Sequence, residues 1–558
     1  MRKIRIIVVL IFGVILFNQA DACTNFLITK GATVGGTPMI TYAADSHTLY
    51  GELYFWPAAD YKPGTMVDVT EWDTGKLMGQ IPQATHTYQV VGNMNEHQLS
   101  IGETTYGGRK ELATQAGAIV DYGSLIYLTL QRAKNAREAI SVMTNLVKDY
   151  GYASSGESFS IADSEEVWIL EMISKGEGQK GAVWVAMKIP DGYISGHANQ
   201  ARITQFPLDK PKECLYAPDV ISFAREKGWF TGTNNEFSFS DTYAPVEFGG
   251  ARFCDARVWA GFNQVNKQMG KYEDYVMGKI TYDKNHYATN RMPLWIKPDA
   301  PLTLENVISM MRDHYEGTAL DMTKDPGAGP FQLPYRWRPM TWKVDSVSYC
   351  HERAVSTQQT GFSFIAQSRP NLPDPIGGVI WFGVDDTYST CYMPVYCGIN
   401  EVPNSLKVGN GDFLTWSETS AFWTFNTVAN FCYLRYNDMI KDVQKVQSRK
   451  EKEFIAGIGA IDQKALDLWK KGDKSNAIKT LTAYSVSQVE TTVKDWKDLF
   501  HYLMIKYKDG NVMKEKDGKF QWNEFGKQPE QPLHPAYPDS YYRMIIEKNK
   551  EHFKAAGE

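Results

Sequence analysis

The first strong feature along the chain is a block of apolar positions, Ile6 to Phe17, 12 residues behind the basic start Arg2, Lys3 and Arg5. A helix that spans a bilayer takes about 20 residues, so the layout predicts a secretory signal that is removed. The small-x-small triplet Ala20, Asp21, Ala22 marks a cut that leaves Cys23 as the first residue. Beyond it the pattern shortens. "TNFLIT" and "PMITYA" flank the Gly-rich "KGATVGGT", which predicts a hairpin with Cys23 at the very start of a strand. "HTYQVVGNMNEHQLSIGETT" predicts two more strands around a turn at Asn95 and Glu96. Apolar residues then recur at helical spacing from Leu125 to Val147, and "SFSIADSEEVWILEMI" with "GAVWVAMKI" returns to strand patterning.

Strand pairs, a helix, then strand pairs with no βαβ rhythm predict an α+β layered fold of antiparallel sheets with helices on their faces. From about Arg435 the pattern turns charged and helical, with Val489, Val493, Trp496 and Phe500 on one face, as expected of a packed helical cover. The stretch after Gly510, rich in Pro and Lys, reads as a surface wrap. The expected organisation is therefore a signal over 1–22, a main α+β domain over 23–434 and a helical extension over 435–558.

Loss of the signal moves the formal charge from −5 to about −7, because three basic groups and one acid leave with it. No nucleic acid partner and no stable membrane span are expected, and a homo-oligomer is left open. The 31 Tyr, 26 Phe and 15 Trp suit a large enzyme or a protein that binds sugars or peptides. Export, periplasmic or secreted, would let the six cysteines other than Cys23 form up to three disulfides. Neither CxxC nor HExxH occurs and the ten His are scattered, so neither a metal nor a cofactor is expected.

An amide hydrolase needs a nucleophile, a base and donors for the developing oxyanion. A cysteine at a free N-terminus supplies the first two. An α-amine of pKa about 7.7–8.0 beside a thiol of about 8.5 can take the proton near neutrality without a histidine. The stretches "CTNFLITKGATVGGTPMITYAADSH", "NEHQLSIGETT", "AKNAREAI", "GESFSIADSEEVWILEM", "GHANQARI", "MRDHYEGT" and "GGVIWFGVDDTYSTCYMPVY" lie in order over about two thirds of the chain. Together they resemble the cysteine dipeptidases of the dipeptidase A type, which are N-terminal-nucleophile (Ntn) hydrolases related to penicillin V acylase and bile salt hydrolase.

The resemblance implies an αββα four-layer sandwich and a set of roles. Cys23 would be the nucleophile, and Asp45 the carboxylate that steadies its amine, with a turn or cap aspartate as the structural alternative. Asn199 would donate to the oxyanion, with Asn95 a second candidate, although Asn also suits turns for backbone reasons. The family pattern has an arginine three residues before the aspartate, whereas position 42 is Tyr. Arg257 or the Tyr42 hydroxyl would then stabilise the thiolate. Arg257 would alternatively bind a substrate carboxylate or make a surface salt bridge.

Glu103 is an acidic side chain suited to a substrate's free amine. Arg312, Asp313, His314 and Glu316 are expected to be structural, and Asp385 with Asp386 stays unassigned. The expected activity is an exported cysteine-type dipeptidase that acts on a small peptide substrate through an acyl-enzyme. The rivals are an amidase of the same chemistry acting on bile salts, acyl lactones or cell-wall amides, and a lipid-anchored binding protein.

Overall fold

The computed structural model describes residues 23–555, so the expected signal segment and its cut lie outside the described residues. Fifteen strands build its two main sheets. They begin with β1 (Asn25–Ile28), β2 (Met39–Asp45), β3 (Phe55–Trp56), β4 (Val90–Val91), β5 (Met94–Asn95), β6 (Ser100–Gly107), β7 (Gly156–Ala162) and β8 (Val167–Ser174). They continue with β9 (Ala182–Lys188), β10 (Ile194–His197), β11 (Cys214–Tyr216), β12 (Trp295–Ile296), β13 (Thr360–Gln367), β14 (Val379–Val384) and β15 (Met393–Tyr396). One sheet has seven strands in the order β12-β10-β1-β2-β13-β14-β15, and the other has eight in the order β11-β9-β8-β7-β6-β5-β4-β3. Neighbouring strands pair antiparallel, with Leu27 opposite Ile40 and Tyr42 opposite Phe364 in the first sheet.

The two sheets lie against each other through β1 and β2 on one side and β6 and β7 on the other. Strand alternation in β8 shows how the cores divide. Val167, Ile169 and Ile173 join the large core that includes β1 and β2, whereas Trp168, Leu170 and Met172 join a second core with the helices α1 (Tyr122–Leu130) and α2 (Ala136–Tyr150). Where the sheets approach, Gly102 has no room for a side chain, because a Cβ would sit 2.8 Å from the Asn25 side-chain amide. His197 pins the same interface, with Nδ1 2.7 Å from Thr104 Oγ1 and Nε2 2.7 Å from Ser160 Oγ. Burial lowers its pKa to about 3, so the imidazole is neutral and serves as a cross-sheet link.

The single helix expected between Leu125 and Val147 is two. Asn135 accepts from the Glu138 N–H at 3.0 Å and caps a fresh start, which ends the first helix upstream. The expected strand before Asn95 is likewise split, with Gly92 at φ 54° turning the chain between β4 and β5. The remaining larger helices are α3 (Ala256–Val265), α4 (Leu304–Met311), α5 (Ala421–Cys432), α6 (Tyr436–Lys470), α7 (Lys474–Tyr507) and α8 (Asp539–Asn549).

Helix α7 packs on β15 and α5, burying Val489, Val493 and Trp496, the last stacked on Phe425 at 4.6 Å; Phe500 is half-buried. Arg312 pairs with Glu451 at 2.5 Å and Arg369 with Asp462 at 2.6 Å, fastening α6 to the sheet side of the molecule. Among the described residues no helix is long and apolar enough to cross a membrane.

All seven cysteines are free thiols, against the expectation of up to three disulfides. Even Cys391 and Cys397, nearest in sequence, face different surroundings. Cys397 contacts the Asp374 carbonyl, and Cys391 lies among the charges of Arg312 and Glu451.

Candidate active site

Cys23 stands two residues before the start of β1 and is 6% exposed. Thr24 exchanges backbone hydrogen bonds with Ala43, at 3.2 and 3.0 Å, which zips the cysteine onto β2. Its Sγ lies 3.7 Å from Tyr42 Oη and 3.6 Å from Glu103 Oε1, and the Tyr42 hydroxyl donates to that same oxygen at 2.6 Å. Burial, then the charges of Glu103 and Asp45, push the thiol well above its ordinary range.

Asp45 ends β2 and is buried. It accepts from Thr360 Oγ1 at 2.7 Å and from Arg353 Nη2 at 3.0 Å. Burial raises its carboxyl to about 6 despite these partners. Burial and the nearby Arg257 charge pull Arg353 down to about 9. Arg353 thus brings a guanidinium to the aspartate from 308 residues away, while position 42 carries a phenol. Behind it the "MRDHYEGT" stretch acts as a support. Tyr315 Oη donates to the Arg353 carbonyl at 2.5 Å, and Ser356 N–H donates to the Asp313 carbonyl. Asp386, one of the unassigned acids, accepts from Tyr335 and Ser356 and belongs to the same scaffold.

Arg257, from α3, is 0% exposed, and all five of its N–H groups have partners. Nε donates to the Phe253 carbonyl, Nη1 to the Cys23 carbonyl at 2.6 Å and to Thr24 Oγ1 at 2.8 Å. Nη2 donates to the Ala198 carbonyl at 2.9 Å and to Asn199 Oδ1 at 2.8 Å. It therefore neither binds the thiol nor has a donor left for a substrate carboxylate; it positions the backbone of Cys23 and the amide of Asn199 together. Asn199 has φ 67°, a left-handed conformation that Asn tolerates, and its Nδ2 also donates to the Thr105 carbonyl at 2.6 Å.

The structure takes Asn95 away from this group. Its Nδ2 donates to the carbonyls of Leu130 and Ala133 at 2.8 and 2.7 Å, and its Oδ1 accepts from the N–H groups of His97 and Leu99. With both amide hydrogens committed at the end of α1, it is a turn residue and not an oxyanion donor. Glu157 was absent from the sequence reading, although a carboxyl inside the buried strand "GESFSIA" was a visible anomaly.

Comparison with known proteins adds an independent finding. The model of peptidase family C69 matches residues 50–449, so Asn95, Glu103, Asn199 and Arg257 fall inside the match while Cys23, Tyr42 and Asp45 lie ahead of it. A probable dipeptidase of Salmonella dublin is 23% identical over 419 residues, covering 70% of this chain and 84% of that protein. A probable dipeptidase A of Streptococcus pyogenes serotype M3 is 22% identical over 476 residues, covering 80% and 90%. A family model that matches most of the chain places this protein in peptidase family C69.

Proposed function

We propose that the protein is an exported cysteine-type dipeptidase whose nucleophile is Cys23, released by a cut after Ala22. The observation that carries this reading is the Arg257 clamp, which joins the Cys23 carbonyl to the Asn199 amide through one buried guanidinium. The dipeptidase names of the relatives favour dipeptides as substrates. The two packed antiparallel sheets with helices outside them suit an αββα Ntn sandwich, with 435–558 as a helical extension.

In the proposed reaction the α-amine of Cys23 takes the thiol proton and the thiolate adds to the scissile carbonyl carbon. The Asn199 amide donates to the oxyanion, and collapse expels the C-terminal amino acid, whose nitrogen leaves with the proton held by the α-ammonium. Water, deprotonated by the same amine, hydrolyses the thioester and restores the thiol. The new α-ammonium also offsets the acids of Glu103 and Asp45, which otherwise hold the thiol protonated. The test is hydrolysis of unblocked dipeptides by the mature protein and by Cys23→Ala. Activity that disappears with the thiol supports the reading, and activity that survives overturns it.

A further inference from the structure

Beside the thiol lies a feature that the proposed bond-breaking steps do not use. Glu103 of β6 and Glu157 of β7 are diagonal neighbours, because Glu103 stands opposite Phe159 while Glu157 stands opposite Thr105. Each is 1% exposed. Glu157 Oε1 accepts from Thr105 Oγ1 at 2.8 Å, and Glu103 Oε1 accepts from Tyr42 at 2.6 Å. Apart from the proton the two acids share, their Oε2 atoms receive no donor among the described residues, and the buried Tyr152 Oη is also unsatisfied. Two buried carboxyls can touch only by sharing a proton. Burial, then the Glu103 charge, keeps that proton on Glu157, while burial brings Glu103 to about 7. Asp73, held by Tyr122 Oη at 2.7 Å, adds a third acid that both glutamates feel.

We propose that the Glu103–Glu157 pair is the subsite for the free α-ammonium of the substrate, so that the enzyme acts on peptides with an unblocked N-terminus. This rests on the reading of Cys23 as nucleophile. In such a peptide the α-nitrogen lies about 2.5 Å from the scissile carbonyl carbon, being separated from it by one atom. A thiolate poised for attack stands about 3–3.5 Å from that carbon. The ammonium therefore falls within a few ångströms of Sγ, where Glu103 Oε1 sits at 3.6 Å. An ammonium presents three donors, which suits the two Oε2 atoms and the Glu103 oxygen at the thiol. Binding of a cation would release the shared proton and leave both carboxylates ionised against it.

The test compares alanyl-alanine with N-acetyl-alanyl-alanine on the mature wild type, Glu103→Gln and Cys23→Ala. The wild type should favour the free amine by at least about 10³-fold in kcat/KM, because a site built for a charged donor rejects the analogue that lacks it. Glu103→Gln should narrow that ratio to within about tenfold, with the loss for alanyl-alanine appearing mainly in KM. KM of the wild type should also climb as pH falls below about 7, where Glu103 takes up its proton. The subsite is overturned if the wild type cleaves both substrates alike, an outcome that needs no variant to fold, or if Glu103→Gln keeps the full preference. Cleavage of alanyl-alanine by Cys23→Ala instead removes the nucleophile reading, and the subsite with it.

Discussion

Replacing Arg257 by lysine tests the clamp with the charge preserved. The guanidinium serves five acceptors: the carbonyls of Phe253, Cys23 and Ala198, Thr24 Oγ1 and Asn199 Oδ1. An ammonium carries three N–H groups, so at least two of these buried acceptors lose their donor, at about 1–3 kcal/mol each, a loss of roughly 2–6 kcal/mol in stability. The catalytic effect follows from freedom at the nucleophile, since displacement of a reacting atom by about 1 Å costs about 10²-fold in rate. The assays are urea unfolding followed by tryptophan fluorescence, and initial rates on an unblocked dipeptide with kcat and KM separated. We expect a lower unfolding midpoint and kcat reduced about 10²-fold or more. Unchanged stability refutes the clamp, and a loss carried wholly by KM with kcat intact assigns Arg257 to substrate binding instead.

Tyr42→Phe keeps the ring against Phe362 and Phe364 but removes the donor to Glu103. The acid limb of the KM–pH profile should move to higher pH, with kcat/KM lower by about tenfold; an unmoved limb contradicts the contact. Asp385 is pushed to about 7 by burial, so the folded state holds a proton that the unfolded state has released, and its contribution makes stability fall as pH rises from about 4 to 7. Asp385→Asn, which tolerates the same left-handed φ of 64°, should flatten that slope in urea midpoints measured at pH 5 and pH 8; an unaltered slope rejects the assignment. A thiol titration of the denatured chain without reductant should count seven thiols, and five or fewer would show disulfides that the fold lacks.

The legible parts of the fold were those where one face is buried. The strand pair expected over β7 to β9 is three strands, but its strand patterning and the apolar face of α7 were legible because alternation and helical spacing report burial directly. The break between α1 and α2 hung on one capping side chain, Asn135, inside a run whose apolar spacing continues across it. The candidate site was legible only near the cysteine. Asn95 was misread because an asparagine that satisfies four backbone groups in a turn looks, in sequence, like one that serves a substrate. Arg353 carries no local signal, since it lies in an irregular segment and reaches Asp45 only through the tertiary fold. The disulfide expectation rested on compartment alone, which says nothing of which thiols meet.

The central claim is that a cut after Ala22 turns Cys23 into both nucleophile and base. Intact mass and N-terminal sequencing of the exported protein, before and after iodoacetamide and alongside dipeptide hydrolysis, test it directly. The account predicts a chain that begins at unmodified Cys23, takes one alkyl group there, and loses hydrolysis in step with that label. A lipid-modified Cys23, or an uncut chain that hydrolyses dipeptides at full rate, would contradict it.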